Sequence, residues 1–360
     1  ITLGVSLGSV CQSNSVAPFP GVHRVAGADI TIGNIGYYGT GWTGGVSNTS
    51  SSFLNDFWKY NYLTDTWTQL SSYPGGNTHD PVIFNIQGDI YLGLGAAPGL
   101  GNHFWKYTIA NDTWTQMASH PMGTYYNSAY FSIGDKAYVV CGYSTPLKND
   151  VWEYNASNNS WTQLADFPGG SLRSPYGTSL NGLGYVFGGS NGNYHSDQVW
   201  EFNPLNNSWT QKQSSDIVSR GGLVVESSSS GIYVSMGYDM VNQSLIYPDI
   251  YRYYPDNDSW VELCADSLSF LYGPISFVFN ENIYLGNGRV DLSGNINNTA
   301  FLRNVSHSLY SWSTGDTTAS LTVSPTQTTT YYVTQSQNGV SCTDSVTVTV
   351  SNPQANLPDT

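Results

Sequence analysis

Apolar residues occur along this chain in short runs, aromatic or β-branched, each bounded by Gly, Pro, Asn or Asp. Such punctuation predicts strands joined by tight turns rather than helices. Towards the C-terminus, strict alternation in SLTVSP, TYYVTQ and SVTVTV predicts strands with one buried face. Further upstream, AYFSIG and KAYVVCGY predict two strands joined at Gly134-Asp135, VWEYN a third, Asn158-Asn159 a turn, and SWTQL a fourth. Asn suits that turn because it tolerates left-handed backbone. No apolar run approaches the ~20 residues that a membrane-crossing helix needs.

The four-strand unit recurs. NDFWKYNYLTDTWTQL ends at Leu70, NHFWKYTIANDTWTQM at Met117, NDVWEYNASNNSWTQL at Leu164, SDQVWEFNPLNNSWTQK at Lys212 and PDIYRYYPDNDSWVEL at Leu263. Trp67, Trp114, Trp161, Trp209 and Trp260 follow one another at intervals of 47, 47, 48 and 51 residues. A degenerate sixth copy has Ser276–Gly288 as its first two strands and Ala300–Asn304 as its third, with Tyr310 standing where the repeat Trp belongs. Counting PFPG at Pro18 as the first start gives six units, with seven as the alternative. A four-stranded unit cannot bury both faces alone; stacking units around an axis buries them and leaves only short edges. The repeated Trp and Tyr are expected to fill the space between units.

PFPGVHR, IGNIGYYGTG, NDFWKY and DTWTQL in the first unit, with ADFPGG and YVFGGS in the fourth, closely resemble the kelch/galactose-oxidase-type propellers of secreted proteins from Bacteroidetes-like bacteria. A period near 50 fits kelch blades. The resemblance implies an all-β fold, a six-bladed kelch-type β-propeller over residues 17–304 plus a small Ig-like β-sandwich. The sandwich rests on LYSWSTGDTTASLTVSPTQTTTYYVTQSQNGVSCTDSVTVTV, which looks like bacterial Ig-like modules. Their usual opening strand, Cys-x-x-x-Ser-Val, is missing before Tyr310 and stands instead at Val10–Val16 (VCQSNSV). The expectation is a propeller inserted into a split Ig-like domain, residues 1–16 and 305–350, with 351–360 a linker or tail to further domains. That split implies a Cys11–Cys342 disulfide, which would stabilise by closing a long loop. In the alternative, Ile1–Val10 pairs with the last blade and closes the ring. Cys141 is expected as a small buried hydrophobe, and the four cysteines contain no C-x-x-C pair to suggest zinc or thioredoxin chemistry.

Composition narrows the partners. Charged residues are 10% and hydrophobic residues 39%, too few charges for a disordered chain. The net charge of -14, with 11 basic residues thinly spread, argues against nucleic acid and an anionic membrane as partners. A chain starting at Ile1 without an apolar leader reads as the mature form of a secreted or cell-surface protein.

Candidate chemistry sits where propeller loops converge. The loops entering each first strand offer Arg24, His79, Tyr126, Arg173, Arg220 and Tyr272; those after the second strand offer Trp42, Tyr143, Tyr194, His195, Tyr238, Asp239 and Arg289. Arg forks pair carboxylates and aromatic faces stack on sugar rings, so a carboxylated or neutral sugar fits. The competing reading has each Arg bonding carbonyls of neighbouring blades. No catalytic, metal-ligating or cofactor-binding residue is assigned: the six histidines lack ligand spacing, and scattered Asp residues mark no glycosidase pair. The expectation is therefore a non-catalytic adhesion or recognition module for a glycan or surface protein. One alternative is a structural subunit of an extracellular filament or surface assembly, packing on neighbouring domains or subunits. The other follows from the resemblance, because bacterial sialic-acid mutarotases are kelch propellers too: a sugar-modifying enzyme, which would need an acid/base pair at the channel mouth.

Overall fold

The computed structural model describes residues 2–4, 13–43, 52–96, 101–143, 145–214, 219–238, 247, 249–265, 273–289, 296–304, 309–316, 320–337 and 340–350. The described residues contain no helix, and the chain divides into two compact units, Cys11–Arg303 and a smaller one of Ile1–Val10 with Asn304–Thr360.

In the larger unit the described residues form six four-stranded sheets. Their first strands are Ala28–Ile32, Val82–Ile86, Ala129–Ile133, Tyr176–Leu180, Val224–Ser228 and Ile275–Phe279. Each first strand lies beside that of the next sheet, and the sixth lies beside the first, so the series closes on itself. Two-residue turns join first and second strands; both turn residues have positive φ at Gln87-Gly88, Asn181-Gly182 and Asn280-Glu281. That is the hairpin geometry whose twist matches the strands.

The outer repeat is a clamp as well as packing. Asp65 Oδ1 accepts the Ala17 N–H at 2.8 Å while Trp67 Nε1 donates to the Ala17 carbonyl at 3.1 Å. Asp112 and Trp114 grip Ser71 in the same way, Asn159 and Trp161 grip Ala118, and Asp258 and Trp260 grip Gln213. The Asp or Asn sits at φ of 50°, 54°, 53° and 51° respectively, which these side chains tolerate better than most. Three repeat tryptophans also meet a buried aromatic from the PFPG-like turn: Phe19 against Trp67 at 5.1 Å, Tyr73 against Trp114 at 5.4 Å, Phe167 against Trp209 at 5.0 Å. His120 fills that place before Trp161 at 4.8 Å, and burial pulls its pKa down to about 4, so it packs as a neutral ring. Asp112→Ala removes the acceptor for Ser71 N–H and for the Tyr107 hydroxyl and puts Ala at positive φ. A loss of about 1–3 kcal/mol is expected in urea unfolding of that variant.

The sixth sheet differs from the sequence expectation. Its outermost strand is Ser13–Ser15, paired with Phe301–Arg303, and not the segment around Tyr310. Tyr310 belongs to Leu309–Trp312 in the smaller unit, paired with Thr329–Gln337. The N-terminal segment therefore supplies the fourth strand that the degenerate sixth repeat lacks. The boundary expected at residue 16 falls between Val10 and Cys11. In the smaller unit Thr2–Gly4 pairs with Ser320–Thr322, and Trp312, Leu321, Val323, Tyr331, Val333 and Val348 form its core. Cys11 lies outside the described residues, as does the side chain of Cys342; Cys141 is a buried free thiol.

Candidate active site

The six first strands enclose a cavity of about 540 Å³. Their hairpin registers bring the second residue of each strand to one level around it: Asp29, Ile83, Tyr130, Gly177, Val225 and Ser276. Below them the fourth residues, Thr31, Asn85, Ser132, Ser179, Ser227 and Val278, make a mostly hydroxyl-bearing collar. Ser179 Oγ donates to the Ser132 carbonyl at 2.8 Å and Ser132 Oγ to that of Asn85 at 2.9 Å, binding successive sheets together.

Two carboxyls meet in this cavity. The Ser276 N–H donates to Asp29 Oδ2 at 2.7 Å, and Ser276 Oγ lies 2.9 Å from the same oxygen and 2.6 Å from Glu226 Oε1. A serine hydroxyl has one proton to donate. Holding two carboxyl oxygens at those distances requires a second proton, carried by one carboxyl and donated back to Oγ. Both groups border the cavity yet lie deep in the protein, where ionisation is costly. Burial first, and then the charge of Asp29, push Glu226 up to about 8. Burial lifts Asp29 to about 6, against the lowering effect of its bonds from Ser276. The pair titrates as a unit. Near neutral pH it holds one proton and one negative charge, so it is at once an acid and a base.

The mouth is built on a second repeating feature. The residue two before each first strand has positive φ: Ala26, Asp80, Asn127, Ser174, Gly222 and Gly273. All six line the cavity. The residues just before them are the next residues of the rim loops, Val25, His79, Tyr126, Arg173 and Gly221, with position 272 outside the described residues; Val25 is fully buried and Arg173 is exposed.

This series is one residue out of step with the sequence alignment at two places. Arg24 and Arg220 precede the rim residues, and a one-residue step reverses a side chain's direction in extended backbone. Arg24 is fully buried, bonds the carbonyls of Val22 and Thr40, and forks onto Asp56. Arg220 forks onto Asp249 at 2.6 and 3.0 Å and stacks on Tyr247 at 3.7 Å. Both are structural ion pairs. Arg173 is exposed and forms no ion pair among the described residues; it lies within electrostatic reach of Tyr126.

The structure brings four other candidates together. Trp42 lies 6.4 Å from His79, His79 lies 6.0 Å from Tyr126, and Tyr126 lies 5.1 Å from Tyr143, ring to ring. His79 Nδ1 pairs with Asp80 Oδ2 at 2.7 Å. His195 and Tyr238 sit 6.0 Å apart, and Tyr194 is 62% exposed. Tyr272 and Asp239 lie outside the described residues, as does the side chain of Arg289. The sequence reading missed Asp29, Glu226 and Ser276. One signal was available: ADITI and VVESS are the first strands that carry an acidic residue.

The Kelch motif matches residues 41–72 and 178–214, which take in the outer strands of the first sheet and most of the fourth. A solved structure, "Structure of YjhT", matches with a TM-score of 0.64 at 16% identity, covering 80% of this chain and 99% of that one. The larger unit is a kelch-type β-propeller. No curated protein matches the chain in sequence. The expectation of a non-catalytic adhesion or recognition module is corrected: it does not stand beside the fold shared with YjhT and the two buried carboxyls that Ser276 links in the channel.

Proposed function

We propose that the propeller is a sugar-modifying enzyme that opens and recloses the ring of a free sugar, interconverting its anomers. The observation that carries this reading is the proton shared through Ser276 between Glu226 and Asp29. A cavity of about 540 Å³ is in the range of small-ligand sites. The ionised member of the pair takes the proton of the anomeric hydroxyl, and the protonated member gives its proton to the ring oxygen. The bond from anomeric carbon to ring oxygen breaks and an open-chain carbonyl forms. Reclosure on the other carbonyl face reverses both transfers and leaves the pair with one proton, as at the start. No metal or redox partner is required by that balance. At the mouth, Arg173 offers a fork to a sugar carboxylate, and Tyr126, Tyr143 and Trp42 offer faces for the ring to cross.

Exchange NMR of anomer interconversion tests this on a panel of free sialic, uronic and neutral sugars. The expected result is exchange faster than the buffer rate for at least one sugar, with a bell-shaped pH dependence whose limbs lie near 6 and 8. Buffer-rate exchange for every sugar across that range overturns the proposal.

The same reading takes the six sheets as six blades, supported by the closed cycle of first strands, and the smaller unit as a split Ig-like sandwich, supported by the pairing of Thr2–Gly4 with Ser320–Thr322. A density map with any other number of radial lobes would sink the blade count.

A further inference from the structure

Many tyrosine hydroxyls in this propeller are committed, although that of Tyr125 is buried without a partner among the described residues. Tyr60, Tyr107, Tyr154 and Tyr253 donate to the turn acid or amide five residues on. Tyr138 and Tyr185 donate to Glu153 and Glu201, and Tyr284 donates to the Ala17 carbonyl. Even in the cavity wall, the Tyr176 hydroxyl is occupied, accepting the Gly222 N–H at 2.7 Å. The other tyrosine of the cavity wall, Tyr130, differs from Tyr176. Its ring is wedged edge-on against Phe84 at 5.7 Å, and among the described residues its hydroxyl has no hydrogen-bond partner.

Its placement is specific. Tyr130 stands on the third sheet and Ser276 on the sixth, three steps around the closed cycle in either direction, at the same level. Its strand therefore lies across the lumen from that of Ser276. It lies within electrostatic reach of Asp29, Glu226 and Asp80, whose charges, after burial, hold it firmly protonated. The next sheet is fitted to it: a Cβ on Gly177 would come within 2.7 Å of both the backbone N and O of Tyr130, so glycine lets the fourth first strand close over this residue.

We propose that Tyr130 is a catalytic hydrogen-bond donor, reserved for the sugar oxygen on which negative charge develops while the carboxyl pair moves the protons. The inference rests on the ring-opening reading and adds a residue to it. A fixed donor on the far wall supplies what two acids cannot. The pair takes the anomeric proton from one side, and a second donor to the other lone pair of that oxygen offsets the negative charge that develops there before the ring bond breaks. The phenol keeps its proton throughout and transfers nothing.

The test compares wild type, Glu226→Gln and Tyr130→Phe in the anomer-exchange assay. Tyr130→Phe is expected to lower kcat by about a hundredfold with KM changed by less than about threefold, the signature of a donor used in the transition state. Both pH limbs should stay in place, because Tyr130 does not titrate with the pair. If Tyr130→Phe stays within about threefold of wild type while Glu226→Gln is inert, this inference falls and the ring-opening reading stands. An inert wild type removes both. Should the Phe variant fail to fold, the Tyr130 13Cζ resonance of the wild-type protein decides. A shift on saturation with the active sugar supports the contact, and an unmoved resonance overturns it.

Discussion

Glu226→Gln is expected to abolish anomer exchange, lowering kcat by about 10²- to 10⁴-fold, the usual worth of a positioned acid/base group. Gln keeps the size and still reaches Ser276 Oγ, so the cavity should survive while its proton store does not. The two-limbed pH profile should vanish with it, because Asp29 is left to titrate without its partner. Stability should move the other way. Glu226 binds its proton more tightly when folded than at its ordinary value of 4.5. Between about 4.5 and 8 the folded protein thus holds more protons than the unfolded chain, and stability falls as pH rises through that window. Above it the folded protein carries a costly buried charge that Gln never has. At pH 9 the variant should be more stable than wild type by roughly 1–3 kcal/mol, with little difference near pH 4. Denaturant midpoints at the two pH values measure this. A variant as active as wild type, or less stable at high pH, contradicts the role given to Glu226.

Arg24→Ala is expected to cost about 3–5 kcal/mol of stability without touching the reacting groups. The Arg24 side chain has no exposed surface, Nη2 reaches Asp56 Oδ2 at 2.7 Å, and its guanidinium lies 5.1 Å from the Phe19 ring. Burial alone would raise Asp56, but the hydrogen bonds and charge of Arg24 outweigh it and hold the carboxyl below 3.8. Without Arg24 the cost is a partly buried, uncompensated carboxylate and two unbonded carbonyls. Asp56 stabilises the wild type above its unfolded pKa, and that contribution is lost as pH falls through the lowered folded value. The gap between wild type and variant should therefore narrow below about pH 4. Urea unfolding at pH 7 and pH 3.5 checks both parts; an exposed, weakly coupled Arg would give less than about 1 kcal/mol at either.

These two residues illustrate how a local pattern misleads about a site. Arg24 looked like a mouth residue because it follows the PFPG turn closely, one residue short of the spacing that His79 and Tyr126 keep from their own prolines. The true series is set one residue later by Ala26, whose positive φ turns the chain into the first strand. The alignment of turns was sound to within one residue, and in extended backbone one residue reverses the direction of a side chain. Glu226 was passed over for the opposite reason. It sits in a strand, VVESS, where alternation says nothing of chemistry, and its partners are 50 residues away at Ser276 and a further 247 back at Asp29.

The sequence by itself determined the strands, the repeat and the kelch likeness. These depend on neighbours in the chain: turn residues that accept left-handed backbone, a Trp two places after an Asp or Asn, an aromatic ahead of Pro-Gly. Only the tertiary structure decided that Ser13–Ser15 completes the sixth sheet, that Arg24 and Arg220 are spent on Asp56 and Asp249, and that Asp29, Ser276, Glu226 and Tyr130 share one cavity. The reason is closure. A ring brings its first and last sheets side by side and sets opposite sheets face to face across a channel, and neither relation leaves any periodicity along the chain to be read.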